Sequence, residues 1–95
     1  RRAGFGMAWQ REVFPYLWFW QVCGGAYEYP WYGRTYNLAL EPFSSQPGGI
    51  ASAIKTGTAL KLGAGESLSH QMVAVAFEGQ GRVKQLLSDG TIIWD

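Results

Sequence analysis

The chain has 95 residues, of which 47% are hydrophobic and 16% are aromatic, and its formal net charge is +1. This composition excludes a disordered chain, and the length allows a single domain over residues 1–95 with a limited core. A net charge of +1 creates no field that would attract nucleic acid or an anionic membrane, so we expect neither as a partner.

The only cysteine, Cys23, has neither a second cysteine to pair with nor a histidine beside it. The sequence therefore predicts no disulfide, no metal site and no cofactor. A single thiol fits a reducing compartment, and we expect a cytoplasmic protein. The longest strongly apolar stretch, residues 13–20, is too short to cross a bilayer, and no signal peptide is recognisable.

The first predicted strand, residues 2–10 ("RAGFGMAWQ"), alternates large apolar side chains with Gly4, Gly6 and Ala8. A period of two indicates a strand, and the small residues on one face indicate that another element lies closely over that face.

The second predicted strand, residues 13–22 ("VFPYLWFWQV"), is apolar on both faces. One face carries Phe14, Tyr16, Trp18, Trp20 and Val22, and the other carries Val13, Leu17 and Phe19. We expect this strand to be buried on both sides, in the middle of a sheet or sandwich, with Pro15 near its start.

An aromatic loop leads into the third predicted strand, residues 35–41 ("TYNLALE"). Leu38 and Leu40 share one face, which we expect to point into the core. Ala39 lies on the other face between two polar side chains and leaves a shallow, open patch. Pro42 removes a backbone donor, so we expect the strand to end there.

The remaining segments predict one short helix and more strands. Residues 50–57 form a helical turn that ends at Gly57, and residues 58–62 form a strand connected by "GAGE" to a long strand over residues 67–79. A last hairpin turns at Asp89-Gly90. The sequence therefore predicts an all-β, antiparallel β-sandwich of about six or seven strands.

Glu41 stands at the end of the third strand, where a sheet meets its loops and functional groups are often found. Its carboxylate is either a working group or a solvated charge paired with Arg34 or Lys61. His70, the only histidine, falls within the long strand and is expected to be a strand residue; nothing in its neighbourhood supports a catalytic role.

Aromatic side chains are more numerous in residues 18–32 than a core of this size needs. They are Trp18, Trp20, Tyr27, Tyr29, Trp31 and Tyr32. Such rings suit the C–H faces of a sugar, while hydroxyls bond to polar groups at the rim. The alternatives are that Trp18 and Trp20 belong to the core and that the loop "YEYPWYGR" is a protein interface.

Three segments together, "FPYLWFWQ", "PWYGRTYNLALEPFSS" and "LKLGAGES", resemble the C-terminal part of the aldose 1-epimerase (galactose mutarotase-like) superfamily. The resemblance covers roughly residues 4–78. It implies a β-supersandwich that binds a sugar, in which a C-terminal glutamate takes the proton from the anomeric hydroxyl and a histidine donates to the ring oxygen. By motif, Glu41 matches that glutamate and would be the general base.

The chain also differs from complete members of this superfamily. Complete members are several times longer, and their acid histidine and substrate arginine lie in N-terminal segments that have no counterpart here. His70 follows the glutamate and does not match the family's acid. The chain therefore resembles a truncated epimerase-like domain that keeps the base without its partner.

These observations define the expected site and leave the activity open. Glu41 is the expected catalytic residue, and the expected substrate-binding residues are Trp18, Trp20, Trp31, Tyr32, Arg34 and Asn37. The expected ligand is a monosaccharide, an aldohexose. The chain is either a mutarotase (an isomerase), a non-catalytic sugar-binding module, or a structural and oligomerisation domain. Two apolar faces in so short a chain also predict a homo-oligomer.

Overall fold

The computed structural model describes residues 2–79 and 81–95. Its elements are β1 (Arg2–Trp9), β2 (Tyr16–Cys23), β3 (Tyr36–Phe43), α1 (Gly49–Lys55), β4 (Met72–Gly79), β5 (Val83–Leu86) and β6 (Ile92–Trp94). β1 pairs with β4, β2 with β3 and β5 with β6, each pair antiparallel. The all-β, antiparallel class is thus confirmed, while the sandwich stays a prediction.

The chain divides into two compact units. Unit 1 consists of Arg1–Val13 and Leu62–Asp95, and unit 2 consists of Phe14–Lys61. Unit 1 therefore contains β1, β4, β5 and β6, and unit 2 contains β2, β3 and α1. The expectation of a single domain over residues 1–95 stays a prediction.

In unit 1 the small face of β1 is closely covered, as the alternation predicts. Gly4 lies directly opposite Phe77 on β4, and a Cβ atom at Gly4 would run into the Phe77 ring. A Cβ atom at Gly6 would come within 3.0 Å of the Leu86 side chain on β5. The glycines therefore allow an aromatic ring and a second small sheet to approach the β1 backbone.

The β5–β6 hairpin supplies this covering layer. Its turn is at Asp89-Gly90, as predicted, and Gly90 adopts a positive φ of 89°. Trp94 at the end of β6 packs edge-on against Phe77, with ring centroids 5.6 Å apart and an interplanar angle of 85°. These contacts make a small aromatic core over one face of the β1–β4 sheet.

In unit 2, β2 begins at Tyr16, directly after Pro15 and three residues later than predicted, and β3 does not end at Pro42. β3 continues to Phe43, and Pro42 lies opposite Leu17 within the sheet. A proline is tolerated there because, among residues 2–79 and 81–95, β3 has a partner strand on one side only, so its other edge needs no N–H donor.

The prediction that the leucine face points into the core is wrong. Leu17, Phe19 and Leu38 lie on this face and are 48%, 59% and 57% exposed. Burial of β2 on both sides is wrong for the same reason, because unit 2 has too few elements to cover both faces of its two-stranded sheet. The opposite face, which carries Glu41, is the less exposed one.

The helix α1 ends as predicted, with Gly57 just beyond it at φ 71°. The N–H of Thr58 donates to the carbonyl of Ala53 at 2.9 Å, and the N–H of Gly57 donates to that of Ile54 at 3.2 Å. These two bonds form a Schellman motif, in which the positive φ favours glycine. Among the described residues, Ala53 is the one buried apolar side chain, with 1% exposure.

The predicted hairpin around "GAGE" is wrong, although the turn itself forms. The N–H of Gly63 donates to the Glu66 carboxylate at 2.8 Å, and the N–H of Glu66 donates to the Gly63 carbonyl at 3.1 Å. Residues 58–71 form no strand, since β4 pairs with β1 instead. His70 consequently lies ahead of β4 and not within a strand.

Candidate functional site

The pairing of β2 with β3 brings four of the predicted site residues onto one surface. Trp18 lies directly opposite Glu41, Trp20 opposite Ala39, and Val22 opposite Asn37. Directly opposed residues of antiparallel strands share a face, with Cβ atoms about 4.5–5.5 Å apart. We call this surface the Glu41 face; it consists of Trp18, Trp20, Asn37, Ala39 and Glu41.

Trp18 is held in place by two contacts with the end of β3 and the following loop. Its ring stacks on Phe43 with centroids 3.8 Å apart and an interplanar angle of 4°. Its indole N–H donates to the carbonyl of Ser45 at 3.1 Å. One ring face and the polar edge of Trp18 are therefore occupied, which fixes the ring beside Glu41.

A loop residue joins this face. Trp31 packs against Trp20 with ring centroids 5.3 Å apart and an interplanar angle of 57°. The N–H of Trp31 donates to the carbonyl of Glu28 at 2.9 Å, and its own carbonyl accepts from Arg34 at 3.0 Å. This tight turn holds the Trp31 ring against Trp20.

The side chains of Tyr32 and Arg34 make no hydrogen bond or ion pair with the five residues of the Glu41 face within residues 2–79 and 81–95. Tyr32 has a positive φ of 49° and packs edge-on against Tyr29, with centroids 6.0 Å apart. The Arg34 side chain is exposed. These two predicted residues therefore lie on the loop, apart from the group that shares the sheet surface.

The two polar side chains of the Glu41 face have unused acceptors. Glu41 is partly buried, and its carboxylate makes no hydrogen bond or ion pair with the described part of the chain. The alternative pairing with Arg34 or Lys61 is thus not formed. The Oδ1 atom of Asn37 is buried without a hydrogen-bond partner. A buried acceptor left unpaired costs about 1–3 kcal/mol, so Asn37 would gain from a donor.

Two open clefts lie near these aromatic side chains. One of about 420 Å³ is lined by Tyr16, Leu17, Trp18, Phe19 and Pro47. The other, of about 390 Å³, is lined by residues 25–29 and Trp31. Both volumes are in the range of small-ligand sites, and neither cleft has Glu41 among its lining residues.

Sequence reasoning missed the residues that fix Trp18. Phe43 and Ser45 lie in a segment that reads as a loop, and only the aromatic ring at position 43, directly after a proline, hints at a packing role. The backbone carbonyl of Ser45 has no signature in the sequence at all, since any residue supplies one.

Two further side chains, Cys23 and His70, are potentially reactive. Cys23 is a free, exposed thiol that accepts a hydrogen bond from the Gln21 side chain at 3.1 Å. His70 is exposed and belongs to unit 1, whereas Glu41 belongs to unit 2. The described residues contain no group of three or more His, Cys, Asp or Glu side chains placed to hold a metal ion. Nor do they include a helix long and apolar enough to cross a membrane.

No protein-family model, no curated protein and no solved structure matches the chain. The resemblance to the aldose 1-epimerase superfamily therefore depends on the three quoted motifs and stays a prediction.

Proposed function

We propose that the Glu41 face binds a monosaccharide, an aldohexose, and that Glu41 acts on its anomeric hydroxyl. The observation that supports this most directly is the register, in which an unpaired carboxylate lies opposite the indole of Trp18. A pyranose offers apolar C–H faces for the tryptophans and hydroxyl donors for the carboxylate. The small Ala39 side chain, opposite Trp20, makes a shallow patch over which the sugar ring would lie.

The proposed ligand would also satisfy Asn37. A sugar hydroxyl that donates to the Asn37 Oδ1 atom would remove a buried, unpaired acceptor, and a second hydroxyl would donate to Glu41. Binding would thus convert two unused acceptors into hydrogen bonds on one surface.

The proposed reaction is the interconversion of anomers. The carboxylate of Glu41 takes the proton of the anomeric hydroxyl while the bond from C1 to the ring oxygen breaks. The ring oxygen takes a proton from water, which leaves hydroxide, and the open aldehyde turns about the bond from C1 to C2. The hydroxyl so formed then attacks the other face of C1 and gives its proton to the hydroxide, while Glu41 returns its proton to the new anomeric oxygen. A positioned base of this kind contributes typically about 10²–10⁴-fold to a rate.

The second candidate is a sugar-binding module without catalysis. One observation favours it: no described acid or cation is hydrogen-bonded or ion-paired with Glu41. Without a partner that protonates the ring oxygen, the proposed site would bind the sugar and accelerate ring opening only modestly.

Substitution of Glu41 separates these candidates. Hexoses are titrated into the protein while tryptophan fluorescence is followed, and anomer interconversion is measured by polarimetry. For a mutarotase, Glu41→Gln should abolish the rate enhancement and keep most of the affinity. For a binding module, the wild type should bind without any rate enhancement.

Glu12→Gln is the matched control, because Glu12 is exposed and belongs to unit 1. This variant should behave as the wild type in both assays. If no hexose changes the fluorescence of the wild type, the sugar proposal is wrong and a structural or interaction role is favoured.

A further inference from the structure

The edge of β2 that faces away from β3 has unpaired backbone groups. β2 pairs with β3 alone, and within the described part of the chain no backbone hydrogen bond of Tyr16–Cys23 lies outside this ladder. Alternate residues of such a strand point their N–H and C=O groups away from the neighbour. These groups are available to another extended strand.

The 420 Å³ cleft lies along this free edge. Its lining includes four consecutive residues, Tyr16 to Phe19, whose side chains alternate between the two faces of the sheet. None of its lining residues belongs to β3, as expected for a cleft on the side of β2 that faces away from β3. Pro47 forms the other wall. Half of the residues of β2 therefore border open space, with Pro47 across the cleft from them.

β2 also lacks the features that usually prevent edges from pairing. Its sequence, "YLWFWQVC", contains no charge, no proline and no glycine, and its register with β3 has no bulge. The other strand of this sheet, β3, carries Glu41 and Pro42. The β5–β6 hairpin carries Lys84 and a bulge between Val83 and Gln85. A long, regular, apolar edge is the kind that associates with another strand.

We propose that β2 pairs antiparallel with β2 of a second copy of this chain, giving a four-stranded sheet in the order β3–β2–β2–β3. The two-fold axis that relates two such strands is perpendicular to the sheet, so each face of one copy continues into the same face of the other. Leu17 and Phe19 of both copies then form one apolar surface across the axis. A second copy can pair here because β2 has no charged residue, so two neighbouring β2 strands bring no like charges together.

The pairing would also stabilise the two-stranded sheet of unit 2. A two-stranded sheet is marginally stable in water, and three or more strands, or packing against a helix, are needed for independent stability. Unit 2 has one two-stranded sheet and a helix of 7 residues. Association of two copies gives a sheet of four strands, twice the number in one copy.

The size of the contact predicts a weak dimer. β2 has 8 residues. At about 3.3 Å per residue and a sheet thickness of about 10 Å, its edge presents on the order of 300 Å². A stable interface buries about 800 Å² per partner, so we expect reversible association with a dissociation constant above the micromolar range.

Two charge substitutions test the geometry. Phe19 and Leu38 lie on the same face and are 59% and 57% exposed, but Phe19 is on the pairing strand and Leu38 is on the outer one. Phe19→Lys places two charges near the axis and should raise the dissociation constant at least tenfold. Leu38→Lys, the matched control, should change it less than threefold.

Sedimentation of the full chain from about 10 μM to 1 mM covers the expected range of association. A wild type that stays monomeric throughout overturns the proposal. An equal rise of the dissociation constant in Phe19→Lys and Leu38→Lys also overturns it. That result would mean that the dimer forms by packing of apolar sheet faces and not by pairing of strand edges.

Amide exchange on the wild type provides a test without a variant. Edge pairing should slow exchange at alternate amides of β2 as the protein concentration rises. If the protein dimerises but exchange does not slow at alternate amides of β2, the proposed pairing is overturned. No sugar is needed in these experiments, so their outcome is independent of the proposed sugar binding.

Discussion

The Phe77 ring lies over Gly4, the residue directly opposite it on the neighbouring strand. This ring is also held from the side by Trp94, at a centroid distance of 5.6 Å. The aromatic core of unit 1 therefore depends on the absence of a side chain at position 4.

Gly4→Ala should destabilise the protein. The added methyl group would overlap Phe77, whose ring cannot shift without giving up its edge contact with Trp94. Overpacking of this kind typically costs about 1–3 kcal/mol. The change in the free energy of unfolding is measured by urea titration.

Gly25→Ala is the control for this prediction. A Cβ atom at Gly25 meets nothing within 4 Å, and its φ is not in the left-handed region. This variant should lie within about 0.5 kcal/mol of the wild type. Equal effects of the two alanines would show that Phe77 does not cover Gly4 in solution.

Trp18 and Phe43 should be energetically coupled. Their rings stack at 3.8 Å, an arrangement worth about 0.5–1.5 kcal/mol beyond the burial of area. A double-mutant cycle with Trp18→Leu and Phe43→Leu measures this coupling. In a second cycle, Trp20→Leu replaces Trp18→Leu, and we expect additivity within about 0.5 kcal/mol because the structure shows no ring contact between Trp20 and Phe43.

The features that sequence reasoning predicted correctly are mainly local. Gly57 ends α1, and Asp89-Gly90 forms the last turn. Each depends on the φ angle or hydrogen bonds of a few adjacent residues. Alternation also separated Glu41 from the leucine face correctly, because side chains on a strand alternate whatever the strand packs against.

The features that sequence reasoning missed depend on residues far apart in the chain. Alternation cannot say which face of β3 is covered, and Leu38 is exposed because unit 2 has no further layer to place over it. Residues 58–62 have a strand-like pattern but no partner strand. The direct opposition of Trp18 and Glu41 follows from a pairing register that neither strand encodes alone.

The Asp89 carboxylate should give the last hairpin a dependence on acid pH. It accepts a hydrogen bond from the backbone N–H of Thr91 at 2.9 Å, and this bond lowers the pKa of Asp89 below its ordinary value of 3.8. Because the pKa is lower in the folded state, the bond stabilises the turn above the unfolded-state pKa. That contribution is lost as the pH falls through the folded-state pKa.

The amide shift of Thr91, followed by NMR between about pH 2 and 6, reports this titration. Its midpoint should lie below 3.8. Asp89→Asn keeps an oxygen acceptor and should remove the titration while preserving slow exchange of the Thr91 amide. Asp89→Ala should lose both. A midpoint at or above the ordinary value would contradict the hydrogen bond.

Gly57→Ala should loosen the end of α1 because of its backbone conformation alone. A Cβ atom at Gly57 meets nothing within 4 Å, but its φ of 71° is unfavourable for alanine by roughly 1 kcal/mol. Faster exchange of the Thr58 amide, which donates to Ala53, is the expected local signature. An unchanged exchange rate would argue against the Schellman motif.

Trp20 and Trp94 provide a matched test of the proposed sugar surface, since each is 38% exposed but they belong to different units. Trp20→Leu removes a ring of the Glu41 face and should weaken hexose binding at least about tenfold, or about 1.4 kcal/mol. Trp94→Leu removes the edge contact with Phe77, so it should lower the urea midpoint and leave hexose affinity unchanged. Isothermal titration of both variants decides between these outcomes. Equal loss of affinity in the two would mean that binding follows overall stability, and no loss in either would place the ligand away from Trp20.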